Sequence, residues 1–371
     1  RVGVDNSAPP SYIKILSEYH RRRHLHPSIL TFDEWIELHN QNILYTRNDE
    51  ELYNYRKDVF EQNIVRWKEL NQIDGGAKYG PEMEPFADLT PSEFSTLLGN
   101  LNCYRTTKTP DSITETVGAI LYDRLPFPNT RSSRYRNLLE TLTTTISPAL
   151  NTKAIMSKRI TYIDWRNHNG RSYVTPPKNQ GRHGTCWSFA ASENLEGLNV
   201  RQGYPLVNIS EQEFISCCEQ CQGRTQEVTF EWLVNTTGGR PALEEWYPYD
   251  GNTNVTCQAK DAPRANVTLH YWDRIVDDEE GSGMNILLGL STKGPMSMGV
   301  DARCFFGYQG GIIRNCSHVP DGERARNHAV SLVAAGADVY RFEREDGVVD
   351  TEMVDYFTIK NRYGFLCRWS I

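Results

Sequence analysis

The chain has 371 residues, 39% apolar and 23% charged, with a net charge of −7 at pH 7. That length suits two or three compact units with packed cores, and the acidic balance argues against nucleic acid as a partner. No apolar run approaches the roughly 18 residues that cross a bilayer, so no transmembrane segment is expected.

The N-terminal stretch carries a basic tract, His20-Arg-Arg-Arg-His-Leu-His26, which reads as a solvated, protease-sensitive arm; anionic-surface binding and metal binding are the weaker readings. Thr31-Phe-Asp-Glu34 is a capping-box pattern opening a short amphipathic helix, and Asn48-Asp-Glu-Glu51 opens a longer one. On the longer helix Leu52, Tyr55, Val59, Phe60, Ile64, Trp67 and Leu70 recur at three- and four-residue steps, an apolar face that must pack on something. After Phe94 come more than sixty residues, Thr-rich at Thr141-Leu-Thr-Thr-Thr145, that suit a long activation loop cut at Lys158-Arg159 or an insertion that docks.

The stretch Asn179-Gln-Gly-Arg-His-Gly-Thr-Cys-Trp-Ser-Phe189 precedes a proline-free run with apolar residues at helical spacing, for which Gly203 is a suitable stop. Cys186 then falls in the first turn of a helix, where unpaired N–H groups and the helix dipole favour a thiolate. Gln180 and the Cys186 backbone N–H are placed to donate to a developing oxyanion. Most lone cysteines are merely small buried apolar residues, so the surrounding sequence has to decide. Further on, Met296-Ser-Met-Gly-Val300 and Ala329-Val-Ser-Leu-Val-Ala334 read as strands, and Tyr340-Arg-Phe-Glu-Arg-Glu-Asp346 as a charged, solvated excursion.

These segments together resemble the papain-like cysteine peptidases, the group that includes the lysosomal cathepsins. The resemblance rests on Asp164-Trp-Arg166, on Val174 through Gln180 to Phe189, on Ile209-Ser-Glu-Gln-Glu-Phe-Ile-Ser-Cys217, and on Tyr247-Pro-Tyr249. It continues through Gly294-Pro-Met-Ser-Met-Gly-Val300, Gly310-Gly-Ile-Ile313, Asn327-His-Ala-Val330 and Tyr356-Phe-Thr-Ile-Lys-Asn361. It implies a two-lobe α+β fold, one lobe helical and the other an antiparallel, barrel-like sheet, with the cleft between them. It also implies Cys186 as nucleophile, His328 as general base and acid, Asn361 orienting the imidazole, and Gln180 as oxyanion donor. Trp187, Gly223, Arg224 and Asn327 would belong to the substrate cleft.

Upstream, Arg56, Phe60, Asn63 and Asn71 fall in the register of the family's interrupted propeptide signature, and Phe86-Ala-Asp-Leu-Thr-Pro-Ser-Glu-Phe94 resembles its next block. Glu82 and Glu84 stand where that block usually has glycine and asparagine. The implied organisation is an arm at 1–30, a helical inhibitory propeptide at 31–99, a linker or insertion at 100–158 and a peptidase domain at 159–371. The implied function is a cathepsin-type zymogen whose own propeptide blocks the cleft against polypeptide substrates, with no cofactor and no metal. The alternatives are a catalytically degenerate homologue with a structural or binding role, and a Cys/His acyltransferase or ligase.

Nine cysteines less the nucleophile leave eight, which suits an oxidising compartment. The resemblance implies a Cys217–Cys257 bridge and, by the habit of the family, a Cys316–Cys367 bridge. His183 stands where the family has the cysteine that bridges to the position of Cys221, leaving Cys221 free or paired with Cys218, Cys103 or Cys304. Departures elsewhere are Arg224 in place of a cleft glycine, Arg362-Tyr-Gly364 in place of Ser-Trp-Gly, and a short segment after Asn361, so that other residues must cover the second lobe. Sequons at Asn208, Asn235, Asn254, Asn266 and Asn315 all lie in the peptidase part. The chain does not begin with Met, so a signal removed or omitted upstream is expected, with passage through the secretory pathway to a lysosomal, vesicular or extracellular site.

Overall fold

The computed structural model describes residues 30–39, 41, 45, 49–73, 76–98, 115–118, 160–221, 225–254, 256–276, 283–313, 327–343, 349–361 and 366–370. Helix α1 (Phe32–Leu38) starts at Thr31, whose hydroxyl accepts from Glu34 N while the Glu34 carboxylate accepts from Thr31 N at 2.8 Å. This reciprocal cap satisfies N–H groups that the first helical turn cannot pair internally. Helix α2 (Glu50–Ile73) packs against it through Phe32, Trp35 and Phe60, with ring centroids 5.4–5.7 Å apart. A short strand β1 (Ala77–Tyr79) follows, then α3 (Pro91–Leu97), capped by Thr90 and Glu93 in the same reciprocal way and with proline at its start, where no amide hydrogen is needed.

The apolar stripe of α2 is buried from Val59 to Leu70, through Val59, Phe60, Trp67 and Leu70, but not at its first turns. Leu52 and Tyr55 are exposed, whereas Asn63 is buried beside Phe60 and Trp67. Asn63 Nδ2 donates to the Ala87 and Leu89 carbonyls at 2.8 Å, and Arg56 reaches Asp88 O and the Glu93 carboxylate. Polar heads with dedicated partners can occupy a buried face, so apolar spacing alone leaves Asn63 out of it.

Helix α4 (Cys186–Arg201) is buried from Cys186 to Val200 and forms the centre of the helical lobe, flanked by α5 (Glu211–Cys217) and α6 (Gln226–Thr237). Two of its buried amides reach backbone outside the helix: Asn194 donates to Pro295 O at 3.0 Å, and Asn199 donates to Pro205 O and accepts from Val267 N. Gly238 closes α6 in the left-handed region at φ +63°, a conformation glycine adopts without strain.

The second lobe is an antiparallel sheet. Its strands are β2 (Glu115–Gly118), β3 (Ile160–Asp164), β4 (Asp273–Val276), β5 (Met296–Val300), β7 (His328–Glu343), β8 (Val349–Lys360) and β9 (Leu366–Ser370), and helix α7 (Met284–Lys293) packs on it. The order is β4-β2-β5-β7-β8-β9, with β3 also paired to β7, and the described strands do not close into a barrel. Four features were not anticipated from the sequence. The long segment after Phe94 contributes β2, inserted between β4 and β5. The backbone from Tyr340 to Glu343 prolongs β7, paired with Val349 to Glu352, and Tyr340 is buried beside Ile312 and Tyr356, whereas Arg344 to Asp346 lie outside the described residues. Strand β9 covers the outer side of β8, and β1 of the N-terminal segment pairs with β6 (Tyr308–Gly311).

Candidate active site

Cys186 is the first residue of α4, completely buried and in no disulfide. With Ala190 it packs against Ala329, which brings the start of α4 against the start of β7. His328, the first residue of β7, is also completely buried and pairs across β5 with Val300. The preceding residue, Asn327, ties down this strand entry: its N–H donates to Val300 O, its Oδ1 accepts from Ala302 N, and its Nδ2 donates to Asp301. Asn361, one residue past β8, places Oδ1 2.9 Å from His328 Nε2. An amide oxygen only accepts, so Nε2 carries the proton in this pair and Nδ1 is the ring nitrogen left for acid–base work.

Gln180 is buried, and its Nε2 donates to His183 O at 2.7 Å across the loop before α4. Sequence reasoning missed what braces this loop. Tyr249 OH donates to Gln180 O at 2.8 Å, lies 3.0 Å from Thr185 Oγ1, and its ring meets Phe189 edge-on at 4.8 Å. Burial pushes its phenol up to about 12. The His183 ring fills the space over Gly251, where an added Cβ would come within 2.6 Å of Nε2. The loop is thus held by a phenol clamp without a disulfide at His183, and Cys221 pairs instead with Cys218. Cys217 is bonded to Cys257. Cys304 is also in a disulfide, and Cys316, one half of the expected Cys316–Cys367 pairing, lies outside the described residues. Trp187 packs into the helical-lobe core with Ala191 and Leu195. Gly223, Arg224, Asn315, Arg362 and Tyr363 lie outside the described residues.

A buried ionic chain links the Cys186 helix to the Asn361 strand. Lys360 Nζ lies 3.1 Å from Glu193 and donates to Thr175 Oγ1, which donates to Glu196. Glu196 in turn shares Lys178 with Glu211 and Glu244, at 2.6–2.9 Å. Burial works against the charge on Lys178, but the carboxylates of Glu196, Glu211 and Glu244 outweigh it and hold the amine well above the ordinary lysine range. Glu211, fully buried among more carboxylates than one lysine can neutralise, is pushed up.

The N-terminal segment reaches the same loop. Arg182 Nη2 lies 2.8 Å from Asp88, and the Trp67 indole donates to Phe306 O while packing on the Phe306 ring. Glu84 is buried, accepting from Phe86 N and Gly307 N, and burial pushes its carboxyl up to about 7. Among the described residues, no cluster of His, Cys, Asp or Glu is arranged to hold a metal ion.

The fold and this constellation define a two-lobe papain-type protein with a helical segment docked before its thiol. The family model for papain family cysteine protease matches residues 160–369, and that for the cathepsin propeptide inhibitor domain matches 32–94. The chain belongs to the papain family of cysteine proteases. It is 28% identical over 327 residues to a cysteine proteinase of Trypanosoma brucei brucei, covering 86% of this chain but only 58% of that protein. It is also 28% identical to a viral cathepsin of Adoxophyes honmai nucleopolyhedrovirus, covering 94% of this chain and 86% of that protein. Among solved structures, digestive procathepsin L 3 of Tenebrio molitor larval midgut superposes with a TM-score of 0.59 at 19% identity, covering 91% of each chain.

Proposed function

We propose that the chain is the zymogen of a cysteine endopeptidase that hydrolyses peptide bonds through an acyl-enzyme. The observation that carries this reading is the buried His328–Asn361 pair, together with the packing of Ala329, the residue after His328, against a Cys186 in no disulfide at the start of α4. In the reaction, the Cys186 thiolate attacks the scissile carbonyl carbon and a C–S bond forms. The charge that develops on oxygen is met by Gln180 Nε2, which must turn from His183 O, and by the Cys186 N–H. The C–N bond then breaks as the His328 imidazolium gives its proton to the leaving amine, and water activated by the neutral ring releases the thioester. Asn361 holds the ring orientation throughout.

The N-terminal segment acts as an intramolecular inhibitor: its contacts with Arg182, Phe306 and Gly307 place it on the loop before the thiol and on the second lobe. In this reading 1–30 is an arm, 31–99 the inhibitor, 100–158 a linker and 159–371 the peptidase. The sequon asparagines Asn208, Asn235, Asn254 and Asn266 are exposed, and the disulfides suit an oxidising compartment, so we place the protein in the secretory pathway, in a lysosome-like vesicle or outside the cell. No helix of the described residues is long and apolar enough to cross a membrane. The test is acid treatment of the full chain, followed by mass analysis and hydrolysis of a fluorogenic peptide. Processing with hydrolysis that Cys186→Ser abolishes is expected; a processed, folded chain with no hydrolysis would contradict the proposal.

A further inference from the structure

Arg182 lies two residues after Gln180 and four before Cys186, in the loop that carries both. Its Nη2 is 2.8 and 2.9 Å from the two carboxylate oxygens of Asp88. The Asp88 side chain is 1% exposed, whereas the Arg182 side chain is 29% exposed. Tyr45 OH donates to Asp88, and the Phe86 ring lies under the guanidinium, 5.5 Å from Cζ to centroid. All of these partners lie within the stretch matched by the propeptide inhibitor domain. Among the described residues, no carboxylate from 160 onward pairs with Arg182, and its buried Nε–H has no acceptor.

Departure of the N-terminal segment therefore removes the counter-ion, the ring and the hydroxyl together. What remains is a guanidinium with unused donors, beside the groups assigned to oxyanion and thiol chemistry. A guanidinium left in a partly desolvated site favours a carboxylate over its neutral isostere, because only the charged group replaces both the lost charge and the lost acceptors. From that loop the side chain commands roughly two residues of extended chain, at ~3.4 Å each.

We infer that Arg182 is a specificity-determining residue which, in the processed peptidase, takes an acidic side chain of the substrate where Asp88 lay, within about two residues of the scissile bond. The inference rests on the proteolytic reading above. Asp88 is in effect the first acidic ligand of this site, supplied by the chain itself. The Phe86 ring beside it indicates that an aromatic two residues from the acid strengthens binding.

The test uses the full chain, processed by acid or by an added protease, with its thiol titrated by an epoxide probe before peptides are added. Peptide pairs differing only by Asp or Asn are compared at each position around the cleaved bond, for wild type, Arg182→Gln and Arg182→Lys. The expected result is a preference for Asp of about tenfold in kcat/KM at one position, lost in Arg182→Gln and largely kept in Arg182→Lys, which retains the charge. A titratable thiol with no preference for Asp, or a preference that Arg182→Gln leaves intact, would overturn the inference while the peptidase reading stands. An unreactive thiol would overturn the peptidase reading instead. The same peptide pairs are then compared by equilibrium binding to the processed protein, where equal affinity for Asp and Asn overturns the role of Arg182 and tighter binding of Asp supports it.

Discussion

Lys360, the residue immediately before Asn361, is completely buried and sets its ammonium 3.1 Å from the Glu193 carboxylate on the Cys186 helix. The pair is held by charge, and Ser331 Oγ donates to the other Glu193 oxygen. It joins the helix of the thiol to the strand that ends in the imidazole's partner, so its loss is felt at both. Glu193→Ala, which strands a buried ammonium, is expected to destabilise the chain by about 3–5 kcal/mol, whereas the apolar pair Glu193→Leu with Lys360→Met recovers most of that loss. Denaturant midpoints of the two variants check this.

Acid does not loosen every contact of the N-terminal segment. Glu84 has a folded-state pKa of about 7 against an ordinary 4.5, raised by burial, with Asp88 adding to it and Arg182 and the N–H groups of Gly307 and Phe86 opposing. The folded state thus binds the proton more tightly than the unfolded one, and the stability due to Glu84 falls as pH rises from about 4.5 to about 7. The gap corresponds to about 3 kcal/mol at ~1.4 kcal/mol per pH unit. Glu93 behaves in the opposite way: burial would raise it, but Arg56 and Thr90 hold it below the ordinary range, so its contribution is lost in acid. In a Cys186→Ser background, Glu84→Gln is expected to remove the loss of stability between pH 4.5 and 7, measured by thermal unfolding; an unchanged pH profile would rule this out.

Gly307 has φ +80°, and a Cβ there would lie 2.1 Å from Trp67 Nε1. Gly307→Ala must therefore displace the indole that anchors α2 on the second lobe, as well as straining the backbone. Trp67→Ala removes the same anchor and is expected to cost about 3–5 kcal/mol. In the full chain both changes are expected to expose the N-terminal segment to added trypsin at neutral pH, read as the rate of loss of the intact band.

The Tyr249 hydroxyl is the polar part of the clamp on the Gln180 loop. Tyr249→Phe keeps the ring contact with Phe189 but leaves Gln180 O and Thr185 without this partner, at a cost of about 1–2 kcal/mol. If the loop positions the oxyanion donor, kcat falls more than KM changes; a variant altered in stability alone would keep both constants.

Much of this was legible in the sequence because the signals were local. Thr31 and Glu34, or Cys186 followed by a long proline-free run, specify a helix start within a few residues of themselves. The groups around the thiol came from resemblance, and their meeting depends on the pairing of β7 with β5 and β8 and on the packing of Cys186 against Ala329, which no local period encodes. What stayed hidden was polar burial. Arg56 and Asn63 on the inner face of α2, Glu193 opposite Lys360, and Tyr249 beneath Gln180 are read as surface residues unless their distant partners are known. The resemblance implies that His183 stands in place of a bridging cysteine, but only the fold shows the Tyr249 phenol holding the loop.

The most direct test of the central claim is reaction of the chain with an active-site-directed epoxide, before and after removal of the N-terminal segment, with the modified residue located by mass spectrometry. The account predicts one adduct per processed molecule, on Cys186, lost in His328→Ala and slow in the intact chain. A processed, folded chain whose Cys186 stays unmodified would contradict it.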